Sequence, residues 1–192
     1  MQLSLRMQLP LQRYLILLFA CLGAVPLKAQ GDVTLRLAYF GETGWHPGFR
    51  AGADVVLFDW GTQTQIFSSA GLGAYRHSQN HSAFFLTGDL GINYPVTTWF
   101  DVGLLAGGGY SALWPAGTVY EIDDQGQAVA VDRPAQHRFL LNLAAEAAVH
   151  GKGPLALYAK PGLWLRMPHN QAFLPVFYLE LGLTYRLAPA QP

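Results

Sequence analysis

The sequence predicts an all-β chain that folds as an eight-stranded antiparallel up-and-down transmembrane β-barrel, and three observations support this. Residues 175–187 alternate apolar side chains with small, polar or charged ones without a break, a period of two that only a strand can use. The polar set includes Glu180 and Arg186, so one face is apolar and the other is charged or small, as in a membrane-barrel strand. Beyond the N-terminal segment, no apolar run approaches the roughly 20 residues of a spanning helix.

The N-terminal segment has the features of a secretory signal peptide. Arg6 and Arg13 precede an apolar run at 14–25, which is too short to span a bilayer as a helix. We expect cleavage to separate a signal peptide, residues 1–29, from the barrel domain, residues 30–192.

The cysteine content and the charge balance exclude several classes of protein. Cys21 lies inside the predicted signal peptide, where Phe19 fits a lipoprotein signal poorly, so no disulfide framework is expected. Cleavage would remove three of the 12 basic residues and none of the 12 acidic ones, which leaves a net charge of about −3. No basic patch remains, and nucleic acid is therefore not expected as a partner.

Eight segments of the chain fit the barrel-strand pattern, separated by polar or glycine-containing turns. They are residues 33–40, 48–58, 66–77, 83–94, 99–113, 138–150, 156–167 and 175–187. The third segment has the weakest alternation. The alanine-rich run at 143–148 could form a helix on propensity alone, but the alternation of its residues favours a strand. An even number of strands places both ends of the chain on one side of the membrane.

The longest connection, residues 114–136, is the fifth, and it faces the outside if the N-terminus starts in the periplasm. Two short apolar arms in it flank an acidic turn of hairpin type. That turn is formed by Asp123, Asp124, Gln125 and Gly126. We expect an extended external hairpin between barrel strands five and six; a ten-stranded barrel is the alternative if both arms join the wall.

The inward-facing sets contain most of the charged residues. They comprise Arg36, Arg50, Arg138, Lys160, Arg166 and Arg186 together with Asp54, Asp89, Asp101, Glu146 and Glu180. Because an eight-stranded barrel is only about wide enough for its own side chains, we expect these charges to pair with one another and with trapped water as a plug. Glu180 and Arg36 are expected to be neighbours once the last strand meets the first. The alternative, a charged conduction path, requires a wider lumen.

An enzyme is the second functional class to consider. A lipid A modifying hydrolase of the outer leaflet would use a histidine, a serine and an acid, and the turn at 77–82 contains His77, Ser78, His81 and Ser82. No acidic residue is adjacent, so we assign no catalytic residue and keep this hydrolase as the alternative. A metal site formed by His77, His81 and His137 is disfavoured, since two histidines four apart in a turn define no coordination geometry. Neither a metal nor another cofactor is expected.

Several short motifs resemble small outer-membrane barrel proteins of Bacteroidota. They are GLGAYRH at 71–77, AFFL at 83–86, GGGY at 107–110 and VYEIDDQG at 119–126, and the junction at 28–30 is similar to signal cleavage sites in that group. The chain departs from the group's pattern at 111–113, where SAL replaces a polar pair. The resemblance spans residues 66–187 and implies a barrel in the outer membrane of a Gram-negative bacterium.

Together these observations lead us to expect a non-enzymatic protein of the cell envelope with a structural or surface-interaction role. The expected partners are outer-membrane lipid and lipopolysaccharide, and the external hairpin would meet a surface or envelope protein.

Overall fold

The computed structural model describes residues 32–61, 63–78, 80–117, 119–131, 135–169 and 172–187; the predicted signal peptide lies outside them. The strands are β1 (Val33–Glu42), β2 (His46–Trp60), β3 (Thr64–His77), β4 (His81–Pro95), β5 (Phe100–Pro115), β6 (Val119–Ile122), β7 (Ala128–Val131), β8 (Gln136–His150), β9 (Leu155–His169) and β10 (Ala172–Arg186). Within these described ranges, no helix is long and apolar enough to cross a membrane.

Eight of the strands form one closed antiparallel barrel in the order β1-β10-β9-β8-β5-β4-β3-β2. The barrel closes between the first and last strands, where Leu37 is the partner of Leu183. Strands β6 and β7 form a separate two-stranded sheet. The prediction of eight barrel strands with a hairpin between the fifth and the sixth is therefore confirmed, and the ten-stranded alternative is wrong because the two arms pair with each other instead of joining the wall.

Burial follows the predicted period of two along the barrel strands. Glu180 is 1% exposed, whereas its neighbour Leu181 is 48% exposed. Large apolar side chains that are more than half exposed cover the outer surface, among them Leu37, Leu104, Leu143, Leu157 and Phe177. An apolar surface of this kind is unfavourable in water and is typical of a lipid-facing barrel wall.

Aromatic side chains mark both ends of this apolar surface. We call the end with the two chain termini of the barrel the terminal end and the opposite end, which includes the β6–β7 connection, the loop end. Trp60 and Trp99 are exposed at the terminal end, and Trp45 and Trp114 are exposed at the loop end. Two such girdles are characteristic of barrels whose ends lie at the two membrane interfaces.

Inward-facing glycines leave room for large side chains inside the barrel. A Cβ atom on Gly71 would lie 2.7 Å from Nε of Arg50, and one on Gly162 would lie 2.3 Å from Cζ of Tyr178. Both distances are shorter than a van der Waals contact. The positions of these glycines therefore determine where the bulky interior residues can lie.

Candidate functional site: the barrel interior

The first interior cluster lies toward the terminal end and is built around Arg36. Its Nε donates to Oδ2 of Asp54 at 2.5 Å, and its Nη1 and Nη2 donate to the two carboxylate oxygens of Glu146 at 2.5 and 2.8 Å. The guanidinium carbon also lies 4.6 Å from the ring centroid of Tyr158. The planar guanidinium of arginine binds a carboxylate in this bidentate way. Because Asp54 is on β2 and Glu146 is on β8, Arg36 links β1 to β2 and, across the interior, to β8.

The second cluster lies deeper and contains two acids and two bases. Oε2 of Glu180 is 2.8 Å from Nζ of Lys160 and 3.1 Å from Nη1 of Arg50. Nη2 of Arg50 is 3.8 Å from Oδ2 of Asp89, whose other oxygen accepts a hydrogen bond from Nδ2 of Asn142 at 2.8 Å. These four charged side chains and Asn142 are all buried. Because its charges balance, the cluster can be desolvated with every charge near an opposite one.

Aromatic rings form a layer between this second cluster and the loop end. The rings belong to Phe40, Phe85, Trp164 and Tyr178, each at most 4% exposed. The centroid of Phe40 lies 4.7 Å from that of Phe85 and 4.9 Å from that of Trp164, spacings typical of favourable aromatic pairs. On β9, Trp164 lies between Lys160 and Arg166 in sequence, so the layer separates the charges below it from those above.

The third cluster lies at the loop end, above the aromatic layer. Nη2 of Arg166 is 2.7 Å from Oε1 of Glu42 and donates to the hydroxyl of Tyr75 at 2.7 Å. That hydroxyl is also 3.2 Å from Oε1 of Glu42 and 3.0 Å from Nε2 of His81. These contacts tie β1, β3, β4 and β9 together at the loop end.

Eight of the 11 predicted interior charges take part in the buried contacts just described, and three lie elsewhere. Asp101 accepts from Nδ2 of Asn93 at 3.1 Å and lies 2.7 Å from Nε2 of His150 near the terminal end. Arg138 donates to Oε1 of Gln136 in its own strand at 2.8 Å. Arg186 is exposed at the end of β10.

The predicted contact between Glu180 and Arg36 is wrong. The register of β1 with β10 places Glu180 opposite Phe40 and Arg36 opposite Thr184, so the two charges are four residues apart along the strands. Glu180 instead pairs with Lys160 on the neighbouring strand. The error arises because strand tilt determines which residues of neighbouring strands lie at the same height along the barrel axis, and a single sequence does not reveal that tilt.

Two features of the interior were missed from the sequence. Glu42 lies between the predicted strand segments 33–40 and 48–58, where the sequence predicts a turn. The alternation of Arg36, Ala38 and Phe40 nevertheless continues to it, and it is 4% exposed. The aromatic layer was not predicted, because the alternation shows which residues face inward but not which of them meet across the barrel. The inward parity of Phe40 and Phe85 was the available signal.

The terminal end opens into a polar cavity of about 670 Å³. Its lining includes Thr34, Asn93, Asp101, His150 and Thr184, and Arg36, Asp54 and Glu146 of the first cluster also contribute to it. The cavity is therefore a water-accessible vestibule on the terminal side of the first cluster.

The residues of the hydrolase alternative are not arranged for catalysis. His81 faces the interior and contacts Tyr75, whereas the adjacent Ser82 is exposed on the opposite face of the wall, as consecutive strand residues must be. Ser78 is exposed in the turn. His137 is exposed and contacts Tyr110, so it cannot share a metal ion with the inward-facing His81.

Known proteins match this chain by fold and not by sequence. No protein-family model matches it, and no curated protein matches it in sequence. The solved structure of Ail, the attachment invasion locus protein of Yersinia pestis, is 13% identical with a TM-score of 0.52, over 82% of this chain and 99% of that chain. The N-terminal β-barrel domain of Pseudomonas aeruginosa OprF is 12% identical with a TM-score of 0.51, over 82% of this chain and 99% of that chain. A de novo designed transmembrane β-barrel is 16% identical with a TM-score of 0.52, over 82% of this chain and 96% of that chain. These likenesses establish the fold of an outer-membrane barrel.

Proposed function

We propose that this chain is a non-enzymatic β-barrel of the outer membrane of a Gram-negative bacterium, with a plugged interior and a structural or surface-interaction role. The observation that carries the proposal is the sequence of interior layers, in which the balanced cluster around Glu180 lies against the aromatic layer around Trp164. Both side chains are 1% exposed. A water-filled conduction path would require space that these side chains occupy.

The plug depends on charges that are matched at close range. Lys160 and Arg50 lie within 3.1 Å of the same carboxylate oxygen of Glu180. Arg166 lies 2.7 Å from Glu42 on the other side of the aromatic layer. Removing one member of such a pair leaves a buried charge uncompensated, so the interior is stable only with its partners in place and an ion entering it would disrupt these pairs.

The outer surface supports a position in the outer membrane. The exposed leucines form an apolar surface between two aromatic girdles, and the fold is that of Ail and OprF. Lipid chains would contact the apolar surface and lipopolysaccharide would surround the loop end. A signal peptide at 1–29 would direct export, and the short motifs support placement with the Bacteroidota barrels they resemble.

The β6–β7 hairpin is the part of the chain best suited to meet a partner protein. Tyr120 and Ile122 are 63% and 79% exposed. In the proposed placement the hairpin extends beyond the lipid, where such exposed apolar side chains often mark a protein interaction site. Asp123 bridges the turn, because its Oδ1 accepts from the backbone N–H groups of Gln125 and Gln127, both at 2.9 Å. A hairpin held in this way, with exposed apolar side chains, fits a protein of the cell surface or envelope.

Cell fractionation tests the location, and gel mobility tests the closed barrel. The protein should fractionate with outer membranes and migrate faster unboiled than boiled on a detergent gel, because a closed barrel resists unfolding. A tag inserted after Gln125 should be accessible to antibody on intact cells. Recovery in the soluble periplasm, or a tag accessible only after the outer membrane is permeabilised, would contradict the proposed placement.

A further inference from the structure

Four side chains with metal-binding atoms lie side by side at the loop end of the barrel. Strand pairing places Glu42 of β1 opposite His46 of β2, and His77 of β3 opposite His81 of β4. The rings of His46 and His77 are stacked with centroids 3.6 Å apart, and those of His77 and His81 are 5.7 Å apart. One carboxylate and three imidazoles therefore form a row across four adjacent strands.

Two atoms of this row are already close to the spacing that a metal ion requires. Nε2 of His81 lies 3.8 Å from Oε2 of Glu42. In a tetrahedral zinc site with bonds of about 2.0 to 2.1 Å, two ligand atoms are about 3.3 Å apart. A shift of about half an ångström would thus allow one ion to bind both atoms.

Two buried atoms of this row have no hydrogen-bond partner in the part of the chain that the structure describes. Oε2 of Glu42 and Nδ1 of His77 are buried, and neither has a hydrogen-bond partner among the described residues. Glu42 itself is only 4% exposed. Buried polar atoms without partners are rare and costly in folded proteins, and a bound cation would satisfy the carboxylate oxygen directly.

We propose that His46, His77, His81 and Glu42 form a binding site for a divalent transition-metal ion of the zinc class at the loop end of the barrel. Imidazole nitrogen combined with one carboxylate suits Zn²⁺, Co²⁺ or Ni²⁺, whereas Mg²⁺ and Ca²⁺ prefer oxygen ligands. The three histidines are partly exposed at the barrel mouth, so an ion reaches them from the loop end without crossing the aromatic layer.

Binding requires the histidine side chains to rotate. As arranged in the structure, the described residues include no group of three ligands around one metal position. The rings of His46 and His77 are instead stacked on each other. Opening this stack would turn their nitrogens toward His81 and Glu42. Oε1 of Glu42 would keep its contacts with Arg166 and Tyr75, which orient the carboxylate. Nε2 of His81 would exchange its 3.0 Å contact with the Tyr75 hydroxyl for the metal ion.

Cobalt titration of the folded protein tests the site. The full chain, purified from outer membranes in detergent, should bind one Co²⁺ ion with the intense visible absorption of tetrahedral coordination, and Zn²⁺ should abolish that absorption. His77→Gln and His81→Gln should each weaken binding by at least about tenfold, since each removes a nitrogen ligand and even the loss of a residue that only orients a ligand costs about 10- to 100-fold. His137→Gln is the matched control, because that histidine lies on the outer face, and it should bind as the unmodified protein does.

Acid should weaken binding, because protons compete with the metal ion for the imidazole nitrogens. Each variant is first checked for the heat-dependent gel shift of a closed barrel. His46→Gln provides a further ligand variant if His81→Gln does not fold. Absence of a tetrahedral Co²⁺ spectrum, or equal affinity in the row variants that fold and in His137→Gln, would overturn the proposal.

Discussion

Replacing Glu180 with glutamine should destabilise the barrel strongly, because it removes a buried carboxylate shared by two cations. Lys160 loses an opposite charge at 2.8 Å, whereas Arg50 retains Asp89 at 3.8 Å. At an effective dielectric constant of about 20, a charge pair at the separation of Lys160 and Glu180 is worth about 5 to 6 kcal/mol. Glutamine keeps the shape and some polarity, so we expect the free energy of unfolding to fall by about 3 to 5 kcal/mol.

The measurement is equilibrium unfolding in denaturant of barrels refolded into lipid vesicles, followed by tryptophan fluorescence. Asp124→Asn is the matched control, because it removes the same charge at an exposed position of the hairpin and should change stability by no more than about 0.5 kcal/mol. Adding Lys160→Met to Glu180→Gln should recover part of the loss, since it removes the uncompensated cation.

Two outcomes would refute the reasoning about Glu180. One is a cost for Glu180→Gln within about 1 kcal/mol of that for Asp124→Asn, which would mean that water screens the cluster. The other is a double variant with Lys160→Met that is no more stable than Glu180→Gln alone, which would mean that the loss does not come from an unpaired lysine.

Three further predictions concern the wall, the interior space and the hairpin. Leu181→Arg should lower the free energy of unfolding by about 2 to 4 kcal/mol if the position is near the bilayer midplane; tolerance in the same vesicle assay would mean that the side chain does not face lipid. Gly162→Ala should cost about 1 to 3 kcal/mol by the same unfolding measurement, because its Cβ would lie 2.3 Å from the ring of Tyr178, whereas Gly88→Ala, with open space around it, should be nearly neutral. Asp123→Ala should make the hairpin more sensitive to protease while leaving the barrel's gel shift unchanged; unchanged cleavage would show that the carboxylate does not order the turn.

Local alternation allowed most of the wall to be predicted from the sequence. Along the regular stretches of the strands the facing of a residue follows from parity alone, so the inward position of Glu180 and the outward position of Leu181 could be assigned without a structure. The register irregularity between Val56 and Phe58 of β2 is an exception. The hairpin was predictable for a similar reason, since the acidic turn at 123–126 is flanked by arms that can pair only locally. Closure of eight strands followed from counting these segments.

The contacts inside the barrel could not be predicted in the same way. Which residues meet across the interior depends on strand tilt and on the register of every pair around the closed sheet, and no short stretch of sequence specifies either. This is why Arg36 was expected beside Glu180 but lies beside Asp54 and Glu146. The row from Glu42 to His81 is unpredictable for the same reason, because its members flank two different turns.

Reconstitution in a planar lipid bilayer tests the plugged barrel most directly. The aromatic ring of Trp164 and the charge cluster around Glu180 occupy the interior between the vestibule and the loop end, so the inserted protein should leave the bilayer without channel steps. Protein verified as folded by its gel shift should be silent at both voltage polarities. Large, stable single-channel steps from the unmodified protein would contradict the plugged interior.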